Sequence, residues 1–123
     1  MADEILDVIE TFRGDDDNFE MNFVDEDGVA INITNYEIKF SVKKSGSDEV
    51  LIGKESLPNG SATEIEKTSP QNGKAILYIN SDDTGGLDPG AYEYDVQYTE
   101  NSNIHTYTRG VFVIKGDVTP WKK

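Results

Sequence analysis

The chain has no cysteine, which excludes a disulfide framework, a thiolate nucleophile and any cysteine-ligated metal. Histidine is almost as scarce, since His105 is the only one, and no Gly-x-Ser-x-Gly or phosphate-binding glycine loop occurs. Base-activated nucleophilic catalysis therefore has few parts to draw on. Acidic residues number 24, enough to produce close carboxylate pairs by chance, so no hydrolytic pair stands out. No enzymatic activity, cofactor, metal or small-molecule substrate is expected.

Long apolar runs are missing as well, and nothing approaches the stretch of about 18 residues that a membrane helix needs. The opening Met1-Ala2-Asp3-Glu4 lacks the basic start and apolar run of a secretory signal, so synthesis in the cytoplasm without export by that route is expected. Basic residues are few, 11 against 24 acidic, and the net charge of −13 repels phosphate backbones and anionic lipids. Neither nucleic acid nor membrane is an expected partner.

What the chain does have is period-2 alternation of apolar and polar residues from one end to the other, the signal of half-buried strands. Helical periodicity is absent. Strands are expected at Ile5 to Phe12, Asn18 to Val24, Tyr36 to Lys43, Glu49 to Lys54 and Lys74 to Asn80. A weak edge strand is expected at Ala62 to Lys67, and a closing hairpin pairs Ala91 to Thr99 with Ile104 to Ile114 around Glu100-Asn101-Ser102-Asn103. Asp25-Glu26-Asp27-Gly28, Ser45-Gly46-Ser47-Asp48 and Ser81 to Gly90 read as turns. Seven or eight short strands with turns at this spacing predict a two-layer antiparallel β-sandwich in one domain spanning 1–123, with possible arms at 1–4 and 118–123. Alternation assigns the core to Phe19, Met21, Phe23, Ile38, Phe40, Val42, Leu77, Ile79, Tyr92, Val96, Val111 and Val113.

The most specific stretch is Leu87-Asp88-Pro89-Gly90-Ala91-Tyr92, the Leu-x-Pro-Gly-x-Tyr form of a tyrosine corner. Pro89 fixes φ and Gly90 allows a tight approach to the strand, so Tyr92 can bond back to the preceding crossover. Tyr92, Tyr94, Val96 and Tyr98 share a face; a sugar-binding stripe and a core row both fit that pattern, and the core row is expected. Asp15-Asp16-Asp17, Asp25-Glu26-Asp27 and Asp82-Asp83 invite a calcium reading, but none has the ligand spacing of an EF-hand loop, so solvated turns are expected.

Several short motifs follow one another in order. Arg13-Gly14-Asp15-Asp16 ends the first strand, Asp27-Gly28 makes a polar turn, and Tyr36-Glu37-Ile38-Lys39-Phe40-Ser41-Val42-Lys43 forms a mid-chain strand. Gly73-Lys74-Ala75, Asp83-Thr84, the Leu87 to Val96 stretch, Thr106-x-Thr-x-Gly110 and Asp117-Val118-Thr119 complete the series. In this order they resemble the small immunoglobulin-like β-sandwich domains of tailed-virus particles, of phage or archaeal virus. Such domains occur at the N-terminus of baseplate upper proteins and as standalone small virion proteins. The resemblance covers roughly residues 5–119. It implies an immunoglobulin-like Greek-key topology and a structural role in the virion, as head decoration, turret, neck, tail or baseplate component. It also implies other virion proteins, and copies of the chain itself, as partners. No receptor-binding tip or coiled coil accompanies the domain, so attachment is not implied. A monomeric adhesion or carbohydrate-binding module is the competing expectation.

The segment Val118-Thr119-Pro120-Trp121-Lys122-Lys123 has the makings of an interface arm. Pro120 blocks strand continuation, Trp121 is the only tryptophan and a large apolar anchor, and Lys122 and Lys123 give an acidic chain a local positive charge.

Overall fold

The computed structural model describes residues 6–57 and 59–116. Among the described residues the structure is nearly all strand, with one α-helix of five residues, which makes the fold all-β. The strands are β1 (Leu6–Phe12), β2 (Asp17–Asn22), β3 (Glu37–Lys43), β4 (Val50–Glu55), β5 (Ile65–Ser69), β6 (Lys74–Ile79), β7 (Gly90–Glu100) and β8 (Asn103–Lys115). A 3₁₀ turn at Pro70–Asn72 leads into β6, and the helix α1 (Ser81–Gly85) follows it where only a turn was expected.

Two sheets pack face to face. One has the order β1-β8-β7-β3-β4 and the other β2-β6-β5. Among the described strands every ladder is antiparallel except β1 with β8, which run parallel with Val8 opposite Val111, and a single parallel bridge joins Ser56 to Ile65. The sandwich is therefore not purely antiparallel. The chain crosses to the other sheet between β1 and β2, and β8 returns beside β1 in the same direction.

The core is made where the inner faces meet. Ile38, Phe40 and Val42 of β3 and Tyr92, Tyr94 and Val96 of β7 are buried side by side on the inner face of one sheet, and Ala75, Leu77 and Ile79 of β6 lie opposite them. Each set alternates with polar residues, so a one-residue slip would bring the polar set inward. The expected edge strand is present, shifted to Ile65–Ser69, and only Ile65 anchors it in the core.

On β8 the expectation is corrected. Val111 and Val113 are half-buried on the outer face, and Phe112 and Ile114 fill the core. Val111-Phe112-Val113-Ile114 is apolar on both alternations, so period 2 cannot choose a face there. Cross-strand register chooses it, because Tyr92 pairs with Phe112 and Gly90 with Ile114. A bulge then places Tyr107 as the extra residue between Thr106, opposite Gln97, and Thr108, opposite Val96. Phe19 and Met21, also expected inside, are only partly buried, because the sandwich is open beside them.

Local chemistry explains the turns. The β7–β8 hairpin closes through Asn101 and Ser102, at φ 50° and 72°, the left-handed pair of a type I′ turn whose twist suits a hairpin. Gly73 has φ 71°, and a Cβ there would meet the carbonyl oxygen of Phe23 at 2.4 Å, so no larger residue fits. That approach lets the Phe23 N–H donate to the Gly73 carbonyl at 2.8 Å and holds the end of β2 against β6.

Candidate functional site

The lone histidine assembles no catalytic group. His105 is about half exposed, its Nε2 lies 4.0 Å from Glu100 Oε1, and its ring stacks on Tyr98 at 5.1 Å. Among the described residues, no three histidine or acidic side chains converge as metal ligands.

The acidic turns carry structural bonds. Asp16 Oδ1 accepts the Ser81 N–H at 2.7 Å, which ties the β1–β2 turn to α1. Asp25 Oδ1 accepts the N–H groups of Asp27 and Val29 at 2.9 and 3.0 Å, shaping the turn at Gly28. Asp83 is more than a solvated turn residue, and that reading is corrected for it. Its Oδ2 accepts the Asn80 N–H at 2.7 Å and pairs with Lys54 Nζ at 2.6 Å, and Lys54 is only 5% exposed. An ammonium so buried demands a partner, and α1 supplies it. No sequence signal links Lys54 to Asp83, which are brought together from different elements by the fold.

The structure brings Leu87, Pro89, Gly90 and Tyr92 together at the start of β7. The Leu87 N–H donates to the Thr84 carbonyl at 3.0 Å, and its side chain packs on the core. Gly90 takes φ 151°, which side chains rarely adopt. Tyr92, buried, donates its hydroxyl to the Asp88 carbonyl at 2.6 Å, the backward bond that a tyrosine corner makes. Tyr92 and Tyr94 are each 5% exposed, so neither can stack on a sugar.

An apolar cleft of about 640 Å³ lies between the sheets, along the side where β2 faces β1 and β8. Phe40, Leu77, Tyr94 and Val96 are its floor, and Ile9, Phe19 and Met21 its walls. One end is closed by Tyr107, whose hydroxyl accepts the Val24 N–H at 3.0 Å and donates to the Asn22 carbonyl at 2.9 Å. At the start of β2, Thr11 donates to Asp17 Oδ2 at 3.1 Å, which ties β1 to β2. Within the described residues β2 has β6 as its one strand neighbour. The Phe23 N–H points to the β6 side and the Asn22 carbonyl to Tyr107, so by alternation the backbone groups of Asn18 and Glu20 face the open side. The cleft is thus lined by apolar side chains and bordered by a strand edge. Sequence reading missed it because Phe19 and Met21 alternate as core residues do, and because nothing in the sequence marks the bulge that aims Tyr107 across the gap.

Beyond Tyr107 an aromatic row crosses the end of the large sheet. Tyr36 and Tyr98 stack at 5.1 Å with ring planes 8° apart, and His105 lies on the other side of Tyr98. Burial raises the pKa of both tyrosines above the ordinary phenol value, and the Glu100 carboxylate adds to it. On the outer face of the same sheet Val8 and Phe12 are exposed along edge strand β1, with Lys115 over the Phe12 ring and paired to Glu10 at 2.9 Å.

The expected interface residues Pro120, Trp121, Lys122 and Lys123 lie outside the described residues, as do both possible arms, 1–4 and 118–123. Set against known families and curated proteins, the chain matches no family model and no curated sequence.

Proposed function

We propose that the chain is a structural component of a tailed-virus particle, acting through protein–protein assembly on an immunoglobulin-like Greek-key sandwich. It takes its place in the virion, as head decoration, turret, neck, tail or baseplate component, after synthesis in the host cytoplasm. Its partners are other virion proteins and further copies of the chain. The observation that carries the assembly reading is the apolar cleft bordered by the β2 edge, because an open strand edge beside an apolar groove is the surface on which chains add to one another. The ordered motifs from Arg13-Gly14 to Asp117-Val118-Thr119 support the viral setting.

Sedimentation of purified particles tests this. The chain is expected to co-migrate with them, and its absence from particles would refute the viral role. Deleting Pro120 to Lys123 is expected to leave the domain folded and to reduce incorporation; normal incorporation would move the contact to the sheet edges or faces. A second reading, a monomeric adhesion or carbohydrate-binding module, draws on the half-buried Tyr36–Tyr98–His105 row, since ring faces suit sugars. It predicts a free 13.7 kDa monomer.

A further inference from the structure

We propose that two copies of the chain pack outer face to outer face through β1, β8 and β7 of the large sheet, around Val8, Val111 and Val113. This rests on the assembly reading and deepens it, on a surface separate from the cleft beside β2.

The first observation is a strand that is apolar on both sides. Phe112 and Ile114 of β8 fill the core, which leaves Val111 and Val113 half-buried on the outer face. A sheet with one face in water carries polar residues on that face, and strands apolar on both faces belong to sheets covered on both sides. The register gathers further apolar groups around these two. Val8 of β1 lies opposite Val111 and is 60% exposed, and the exposed Ala91 of β7 lies opposite Val113. Phe12, 45% exposed, continues the patch along β1. A contiguous apolar patch beside an edge strand marks a surface that another chain covers.

The second observation is charge, and it selects the occupant. Around the patch Lys43, Arg109 and Lys115 face outward with Glu10, Glu93 and Asp95, three positive against three negative, so the full −13 lies elsewhere on the chain. Copies that approach through their acidic turns repel each other, and copies that approach through this face do not. The two signs also sit side by side. Lys43 is in register with Glu93 and Arg109 with Asp95, yet no ion pair within 4.0 Å joins either couple. These four side chains line a groove of about 680 Å³ next to the patch. A face that carries both signs is self-complementary about a two-fold axis, because the cations of each copy reach the carboxylates of the other. A uniformly acidic or uniformly basic partner would leave half of these charges unmatched.

Size sets the strength. Four strands about 4.8 Å apart, each contributing about 20 Å of length, give about 400 Å² per copy, half of a standard interface, so the contact is weak alone and is reinforced where many copies are held together.

The purified full chain is followed by sedimentation equilibrium, apart from any particle, at concentrations up to about 1 mM and in about 0.15 M salt, where exposed charges act over about 8 Å. We expect a dimer that dissociates on dilution. Val8→Glu should raise the concentration needed for association at least tenfold, whereas Met21→Gln in the cleft should not. Circular dichroism checks that each variant is folded, and Val8→Ser replaces Val8→Glu if the charge unfolds the domain. Two paired substitutions then test whether like copies meet. Lys43→Glu with Arg109→Glu makes the face acidic, and Glu93→Lys with Asp95→Lys makes it basic. Neither variant should associate alone where the unaltered chain does, and their equimolar mixture should. A monomer at every concentration, association indifferent to Val8, charge variants that self-associate normally, or a mixture that stays apart would each overturn the proposal. Association lost through Met21→Gln and kept in Val8→Glu would also overturn it, by moving the contact to the cleft. A monomer in solution with the chain still present in particles overturns this contact alone. A dimer that meets every expectation with the chain absent from particles overturns the viral reading alone.

Discussion

Replacing Tyr92 by phenylalanine removes one oxygen and leaves the ring, so it isolates the bond at the start of β7. The hydroxyl donates to the Asp88 carbonyl at 2.6 Å from a residue that is 5% exposed. Removing a buried partner costs between the net value of a hydrogen bond and the desolvation of the group left behind, about 0.5–3 kcal/mol. Asp88 is exposed, so water can reach its carbonyl once the tyrosine hydroxyl is gone. That places the loss near the lower end, about 1 kcal/mol. For a domain of 123 residues this corresponds to a fall in Tm of about 3–5 °C. Urea unfolding followed by far-ultraviolet circular dichroism should show a lower midpoint at unchanged m-value, since the surface exposed on unfolding is the same. Tyr92→Ala also empties ring volume and should cost about 3–5 kcal/mol. A Tyr92→Phe midpoint equal to that of the unaltered chain would refute the role given to the hydroxyl. A changed m-value would show that the bond acts on the compactness of a state and not on its stability.

Three further outcomes follow from the charges. Asp83→Asn leaves the Lys54 ammonium buried with a neutral partner and should cost about 2 kcal/mol by urea unfolding, below the range for fully enclosed pairs because Asp83 is 22% exposed; no loss would mean that Lys54 reaches water. Tyr36 and Tyr98 have pKa values raised above 10.0, so their contribution is complete below pH 10 and is lost as pH climbs through the folded-state values. Lys67, lowered from 10.5 by burial, acts in the opposite sense as pH rises toward 10.5, so Tyr98→Phe should flatten the alkaline decline and a decline unaltered by it would refute the assignment. Raising salt from 0.1 to 1 M shortens the screening length from about 10 to about 3 Å and should raise the unfolding midpoint of a chain carrying −13; a flat or falling midpoint would remove self-repulsion as a term in its stability.

The strand faces of β3 and β6 were legible in the sequence, because Ile38, Phe40 and Val42, and Leu77 and Ile79, alternate with polar neighbours, and period 2 then has one solution. The hairpin at Asn101-Ser102 and the approach through Pro89-Gly90 to Tyr92 were legible for a related reason, since their backbone angles restrict which residues can stand there. All of these are local properties, decided within a few residues. The face of β8, the parallel pairing of β1 with β8, the Lys54–Asp83 pair and the cleft were decided only by the tertiary structure. Val111 to Ile114 is apolar on both alternations, so the partner strand had to choose between them. Phe19 and Met21 have the pattern of core residues whether or not a neighbouring strand covers them, and that covering depends on how two sheets meet, which no single strand encodes.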